Sequence, residues 1–283
     1  MTVSDRLRGL LTWRLGVALS VALVLSSGLV YAQRFRGGFS NARLPIATME
    51  SFDGAYHFCR AAFRGIQGGD GGGWLTDYPD ADRNLSTRLS ELTKTWVSFD
   101  PRTGEPNHLI VQLTAPELYR CGVIMMYEVG NFYIDEIEAA ALRDYLLKGG
   151  FLWVDDFWGE RAWSVWEGQI RKVFPSGTYP IIDLDLDHPL FGQFRKISSI
   201  PQIPSVDFWL STGGGTSERG YDSRVPHIRA ITDDRGRIMV LMSHNTDFGD
   251  SYERESVSRE YFLTFSVPGY AFGMNVLIYA MTH

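Results

Sequence analysis

Three apolar segments of the chain are each followed by acidic or other polar residues. Glu128 follows CGVIMMY, Asp155 and Asp156 follow FLWV, and His244 and Asn245 come after IMVLM, with Asp247 two residues later. Carboxylates with a histidine could hold a hard divalent cation, or act as a general acid and a general base. A simpler interpretation stays open, in which one aspartate caps the next helix and His244 is a loop residue.

A second acidic segment, TDYPDAD, carries Asp77 and Asp82 on either side of a Tyr-Pro turn. Asp80 or Asp82 can cap the helix that follows, or Asp82 can line the same crevice, because the glycine-rich stretch QGGDGGG leads into this segment. That stretch lacks the Lys-Ser/Thr of a P-loop and does not follow a strand, so it is not predicted to cradle phosphate. We therefore add Asp77 and Asp82 to the candidate crevice residues.

The elements that must position these side chains are clearest between residues 121 and 156. CGVIMMY is apolar throughout, as in a strand buried on both faces. Asp135 and Glu138 then form a capping-box pattern, and Gly149-Gly150 ends the helix before FLWV. A strand–helix–strand unit of this kind is right-handed, so its two strands are parallel and end at the same edge of the sheet.

The remaining chain also alternates between helices and strands. Apolar spacing predicts helices over 52–66, 80–94, 160–174 and 270–282, strands over 95–99, 108–113 and 180–184, and a hairpin over 227–243. A mostly parallel sheet with helices on both faces is the natural packing. Ligands bind beyond the carboxyl ends of such strands, so Glu128, Asp155 and His244 are expected to face one crevice.

Composition excludes several classes of protein. The chain has 283 residues, 45% of them hydrophobic, and a net charge of −6, which argues against disorder and against a nucleic-acid partner. Its two cysteines cannot form a disulfide scaffold. Cys59 lies on the apolar stripe of the predicted helix 52–66 and Cys121 opens a buried strand, so both are predicted to be core thiols.

Of four tryptophans between 153 and 166, only Trp158 is predicted to be free to stack on a sugar.

The N-terminus carries three arginines within residues 1–14, followed by the uncharged run 15–32 and a small-residue cleavage pattern at Val30-Tyr31-Ala32. These features predict a secretory signal peptide. An uncleaved membrane anchor through residues 15–32 and, less simply, a buried helix are the alternatives. Residues 33–48 are predicted to be a tether and residues 49–283 a single exported domain, periplasmic or extracellular.

Several segments together resemble the bacterial family catalogued as domain of unknown function 4159. They are WLTDYPDADRNLSTRL (74–89), YEVGNFYIDEIEAAALRDYLLKGGFLWVDDFWG (127–159), VFP (173–175), HPLF (188–191) and the C-terminal MNVLIYAMTH. The resemblance implies a class I glutamine amidotransferase-like, flavodoxin-like three-layer sandwich. Active members of that superfamily place a cysteine nucleophile in a strand-to-helix turn. The turn expected to correspond, VDDFWGE (154–160), offers two aspartates and no cysteine.

Two functions remain open on these grounds. The first is an exported, non-catalytic α/β module that binds an envelope protein or a small ligand, and for it no catalytic residue is assigned. The second is a carboxylate- or metal-dependent hydrolase acting on an envelope or carbohydrate substrate. A divalent cation is the one candidate cofactor.

Overall fold

A seven-stranded sheet forms the centre of the computed structural model, which describes residues 44–283. Its strands are β1 (Phe58–Ala62), β3 (His108–Gln112), β4 (Val123–Tyr127), β6 (Phe151–Phe157), β7 (Ile182–Asp183), β8 (His227–Thr232) and β9 (Ile238–His244), and a separate pair consists of β2 (Arg64–Gly65) and β5 (Phe132–Tyr133). The spatial order is β3-β1-β4-β6-β9-β8-β7. The first five strands are parallel, whereas β8 runs antiparallel to both of its neighbours.

Helices cover both faces of this sheet. They are α1 (Asp80–Leu92), α2 (Glu136–Leu147), α3 (Gly159–Val173), α4 (Val206–Thr212), α5 (Phe248–Glu253), α6 (Arg259–Tyr261) and α7 (Val267–Thr282), with a π-helical turn, Phe262–Ser266, between the last two. One hydrophobic core packs α1, α5 and α7 on the sheet, and a second packs α2 and α3 on the opposite face. The predicted α/β class with a mostly parallel sheet is confirmed. The order of the five parallel strands is consistent with a flavodoxin-like arrangement.

The predicted strand–helix–strand unit is present. Strands β4 and β6 are parallel neighbours, with Tyr127 opposite Asp155. Asp135 caps α2, because its carboxylate accepts hydrogen bonds from the amides of Ile137 and Glu138 while Glu138 bonds back to the Asp135 amide. Strand β9 is buried along its whole length between β6 and β8, as the apolar run predicts.

The predicted helix over 52–66 is wrong. Its centre is β1, an interior strand between β3 and β4 in which Phe58, Cys59, Arg60 and Ala61 are all buried. A strand covered on both faces has no two-residue alternation, so its large apolar residues can fall at helical spacing by coincidence. Arg60, which the helix would have exposed, has no accessible surface.

Two of the other predicted strands are shorter than expected. Residues 95–99 form only isolated bridges, from Val97 to Tyr56 and from Phe99 to Pro106. The segment 180–184 contributes only the two-residue β7 at the edge of the sheet. A strand at the edge of a sheet has a neighbouring strand to hydrogen-bond with on one side only. Fewer of its residues therefore pair than its apolar composition suggests.

The prediction of two core thiols is also wrong, because Cys59 and Cys121 form a disulfide. Cys59 lies in β1 and Cys121 lies two residues before β4, its parallel neighbour. The pairing of these strands brings the two Cα atoms to 6.1 Å, within the normal range for a disulfide. Both side chains are buried, as predicted.

The predicted signal peptide or anchor, residues 1–32, and most of the tether, residues 33–43, lie outside the described residues. The end of the tether pairs with the edge of the sheet. The Ala47 amide donates to the Ile110 carbonyl and the Ile110 amide donates to the Pro45 carbonyl, both at 2.9 Å. The sheet therefore begins before residue 49.

Within residues 44–283, one helical stretch, Arg259–Thr282, is long and apolar enough to cross a bilayer. Two-thirds of its most apolar window (67%) is buried against the rest of the domain. It also supplies Phe272, Met274 and Leu277 to the hydrophobic core, the arrangement of a core helix.

Candidate metal centre

Strained backbone positions lie at the carboxyl ends of β4, β6 and β9 and in the loop that precedes α1. Among residues 44–283, four non-glycine residues have a left-handed φ angle: Asp77 (61°), Glu128 (48°), Asp156 (56°) and Asn245 (63°). All four are candidate residues predicted from the sequence. Side chains rarely adopt this conformation, and it concentrates at binding and catalytic sites. The same edge contains the switch point between β1 and β4, where α/β sheets bind ligands.

Three carboxylates meet at this edge. Oxygens of Asp77, Asp156 and Asp247 lie within 4.8 Å of one another, and all three groups are buried. We call these residues the carboxylate triad. Asp156 Oδ1 accepts a hydrogen bond from Trp158 Nε1 at 2.9 Å, and Asp247 Oδ1 accepts one from the Asp250 amide at 2.7 Å. Asp77 Oδ2 is buried and accepts none.

None of the ion pairs within residues 44–283 involves the three triad carboxylates, and the nearby charge of Arg60 offsets only part of the rise in the pKa of Asp77. Burial raises the pKa of Asp77, Asp156 and Asp247 well above the ordinary aspartate value, and repulsion from neighbouring carboxylates raises it further. Such a group must bind either protons or a cation. Oxygen ligands of this kind suit Mg²⁺ or Ca²⁺.

Arg60 positions the segment that carries Asp77. Its buried guanidinium forms an ion pair with Asp82 and donates to the carbonyls of Trp74 and Thr76 at 2.9 and 2.8 Å. It also stacks on the Tyr127 ring, 4.3 Å from the ring centroid. Asp82 is therefore committed to this ion pair and lies outside the triad. Arg60 is not among the site residues predicted from the sequence, although a single arginine within FCRAAF is the signal of a buried charge that needs a partner.

Glu128 holds the glycine-rich loop over the triad. Its Oε2 accepts hydrogen bonds from the Gly72 amide, from the Gly73 amide at 2.9 Å and from Thr76 Oγ1 at 2.8 Å. A side chain on Gly71, which has φ of 96°, would overlap Glu128. The loop thus wraps a carboxylate of its own chain, and Glu128 supports the site without joining the triad.

Asp155, a residue of β6, lies beside the triad, and its carboxylate contacts the start of α5. Its Oδ2 accepts a hydrogen bond from the Gly249 amide at 3.0 Å, while its buried Oδ1 has no hydrogen-bond partner. Burial raises the pKa of Asp155 to about 7. Gly249 has no room for a side chain, because a Cβ atom there would overlap Asp77 Oδ2 and the Tyr127 ring. Asp77 and Asp155 therefore approach the same glycine.

His244, the last residue of β9, lies at the same edge of the sheet but does not join these carboxylates. Its ring packs against Phe157 and Trp163, with centroid distances of 4.9 and 5.1 Å. Its Nδ1 lies 3.2 Å from Arg229 Nη1 and its Nε2 lies 3.2 Å from the Gly159 carbonyl. Burial lowers the pKa of His244 to about 4, so the ring is neutral at pH 7.

Asn245 and Trp158 have supporting roles. Asn245 Oδ1 accepts a hydrogen bond from the Gly159 amide at 2.8 Å, and its Nδ2 donates to the Val225 carbonyl at 2.9 Å, which fixes the start of α3. Trp158 is 4% exposed and donates to Asp156. The prediction that Trp158 is free to stack on a sugar is therefore wrong.

The triad thus joins two predicted crevice residues, Asp77 and Asp156, to Asp247, the N-cap of α5.

A search of curated proteins finds no match for this chain. A family model does match, over residues 62–281, and its description names no activity. This chain belongs to the family described as a domain of unknown function (DUF4159).

Proposed function

We propose that this domain binds a hard divalent cation, Mg²⁺ or Ca²⁺, at the carboxylate triad and uses the cation to hold an anionic group of a small ligand or partner protein. One observation carries the proposal. Among residues 44–283, Asp77 Oδ2 is buried and accepts no hydrogen bond, and the two buried carboxylates beside it form no ion pair with a positive side chain. A buried charge without a partner is too costly to keep unless an ion or a proton compensates it.

The choice of cation follows from the donor atoms. The triad offers carboxylate oxygens and no sulfur or imidazole, which suits Mg²⁺ and Ca²⁺ rather than softer metals. Three protein ligands fill half or fewer of the six to eight positions that these ions use. The open positions would accept water or an anionic ligand entering at the edge of the sheet.

Metal-dependent hydrolysis is the second candidate function. The observation that favours it is Asp155, a further buried carboxylate whose Oδ1 has no hydrogen-bond partner. A carboxylate beside a cation can accept a proton from the water that the cation activates. Glutamine hydrolysis through a cysteine is not proposed, since both cysteines are joined in the disulfide.

We also propose that the domain is exported and that it is a member of the class I glutamine amidotransferase-like superfamily. The basic, apolar and small-residue pattern of residues 1–32 supports export. So does the disulfide, because structural disulfides persist in oxidising compartments. The order of the five parallel strands supports the superfamily.

Calorimetric titration of the purified full-length chain with MgCl₂ or CaCl₂ tests the cation site. Asp77→Asn keeps the shape of the side chain and removes its charge, so we expect it to weaken cation binding at least tenfold. Asp234→Asn, at an exposed hairpin turn, is the matched control and should bind as the unmodified chain does. Absence of binding to the unmodified chain, or equal affinity in Asp77→Asn, would refute the proposal.

The second candidate has its own test. Turnover of p-nitrophenyl phosphate or p-nitrophenyl acetate is measured with and without Mg²⁺. If the domain is a hydrolase, Asp155→Asn should lose turnover while it retains cation binding. Cation binding without turnover of any ester would favour the binding module.

A further inference from the structure

Asp77 belongs to a second group of acidic side chains. Oxygens of Asp77, Asp250 and Glu253 also lie within 4.8 Å of one another. The Asp77 carboxylate is thus shared between two pairs: Asp156 with Asp247, and Asp250 with Glu253. Its Oδ2 is a buried oxygen that accepts no hydrogen bond from residues 44–283.

The N-cap Asp247 and the short helix α5 together supply ligand atoms to both groups. Asp247, Asp250 and Glu253 follow one another at intervals of three residues, so each is a neighbour of the next on the helix surface. The Asp250 amide donates to Asp247 Oδ1 at 2.7 Å, which couples the two groups. Asp250 is itself fixed, because its Oδ2 accepts a hydrogen bond from the Val206 amide at 2.8 Å.

We propose that the site holds two divalent cations with the Asp77 carboxylate bridging them, and that it takes a phosphate or phosphate-ester group spanning both ions. This inference rests on the proposed cation site and extends it. Paired cations about 3.5–4 Å apart commonly share a carboxylate, and such pairs bind phosphoryl oxygens. The unsatisfied Oδ2 of Asp77 points to a ligand independently of how many acids surround it.

Arg254 is the positive side chain of the second group. Its Nε lies 2.6 Å from Glu253 Oε2 and 3.9 Å from Asp250 Oδ1. Its side chain is 46% exposed, so it contacts the group from the solvent side. One guanidinium faces three carboxylates, which leaves a net negative charge for a cation to neutralise. Arg254 therefore competes with the second ion and should lower its affinity.

Manganese is the probe for this inference, because Mn²⁺ replaces Mg²⁺ and is visible by electron paramagnetic resonance. We expect the full-length chain to bind two Mn²⁺ ions whose spectrum shows coupling between the ions. Glu253→Gln and Asp250→Asn should each bind one uncoupled ion. Asp77→Asn should bind neither ion tightly. Asp234→Asn should bind two, as the unmodified chain does.

Arg254→Gln separates a metal site from a structural acidic cluster. Removal of the competing guanidinium should tighten binding of the second ion severalfold, whereas loss of a purely structural ion pair would not. Inorganic phosphate, titrated with Mn²⁺ present, should bind the unmodified chain and bind Glu253→Gln at least tenfold more weakly.

Three outcomes would contradict the two-ion site, and they differ in what else they exclude. One Mn²⁺ ion per chain, unchanged in Glu253→Gln, overturns the second site and leaves the proposed function intact. No bound ion overturns both proposals. Two ions with phosphate binding unaffected by Glu253→Gln overturns the bridging phosphate.

Discussion

Cation-free protein should lose stability as the pH rises from 5 to 8, and Mg²⁺ should restore it. Burial raises the pKa of Asp155 and Asp250 to about 7, compared with 3.8 for an ordinary aspartate. An acid with a raised native pKa holds more protons when folded than when unfolded. Its contribution is therefore most favourable below about pH 4 and is lost as the pH rises to about 7.

The magnitude follows from the difference between these pKa values. Three pKa units at about 1.4 kcal/mol each correspond to roughly 4 kcal/mol for one such group. Total stabilities of about 5–15 kcal/mol make this a large fraction. For a domain of this size, roughly 4 kcal/mol corresponds to a change in Tm on the order of 10 °C.

The measured quantity is the difference in unfolding free energy between protein in saturating Mg²⁺ and protein in EDTA, from urea titrations at several pH values. His244, with its pKa lowered from 6.5 to about 4, makes both samples less stable below pH 6.5, so its effect cancels in the difference. A cation bound beside Asp155 and Asp250 favours their charged forms, so it should restore what is lost as they ionise. Only the two pH units between pH 5 and pH 7 fall in this range, so the difference should be small at pH 5 and rise by up to about 3 kcal/mol per group at pH 8.

Asp77→Asn provides the matched variant. In EDTA at pH 8 it should be more stable than the unmodified chain, because an amide replaces a buried carboxylate, and it should gain little from Mg²⁺. A stabilisation by Mg²⁺ that is constant between pH 5 and 8, or absent at pH 8, would refute the reasoning.

Two further predictions concern the surroundings of the site, and a third concerns the disulfide. Gly249→Ala should weaken cation binding at least tenfold, because its methyl group overlaps Asp77 Oδ2. Its control, Gly168→Ala, lies in open space on α3, so it should leave cation binding unchanged and add up to about 1 kcal/mol to the free energy of unfolding. Equal cation binding by both variants would contradict the contact between Gly249 and Asp77. His244→Gln should bind Mg²⁺ as the unmodified chain does, and a tenfold loss in calorimetry would place His244 in the site after all. Without reductant, the urea-unfolded chain should not react with a thiol reagent, because both cysteines are in the disulfide. Reduction of the Cys59–Cys121 bond should lower the free energy of unfolding, measured in urea, by about 2–4 kcal/mol. Two reactive thiols before reduction would disprove the disulfide.

The parts of the fold that the sequence predicts well are those that local signals determine. The capping box at Asp135 and Glu138 and the double glycine after α2 each satisfy backbone groups within a few residues. Strand β4 and the runs FLWV of β6 and IMVLM of β9 are apolar on both faces, so their place in the interior of the sheet follows from burial alone.

Strand β1 could not be predicted in this way, because its interior contains a charge. Arg60 is stabilised by Asp82 and by carbonyls of residues 74 and 76, all distant in sequence. The disulfide has the same origin, since Cys59 and Cys121 are 62 residues apart and meet only when β1 pairs with β4. Local patterns cannot report such partners.

The candidate site was partly predictable for a related reason. Strand ends identify the correct edge of the sheet, which places Asp156 near the crevice. They do not decide which side of the sheet a side chain faces, since successive residues of a strand point to opposite faces. His244 therefore reaches the same edge but packs with Phe157 and Trp163. Asp250 and Glu253 enter through α5, a helix of six residues that carries no strong signal in the sequence.

The left-handed backbone at Asp77 and Asp156 has a consequence for how this family diverges. Glycine adopts this conformation without the steric cost of about 1 kcal/mol or more that other residues incur, and asparagine tolerates it well. Folding alone would therefore be served as well by glycine or asparagine at 77 and by asparagine at 156, where an amide oxygen still accepts the hydrogen bond from Trp158, whereas a bound cation needs the charge of aspartate. Relatives that have abandoned the ion should drift to these residues while their cores stay the same. The residue types at 77 and 156 would then sort the family into members that bind a cation and members that keep only the scaffold.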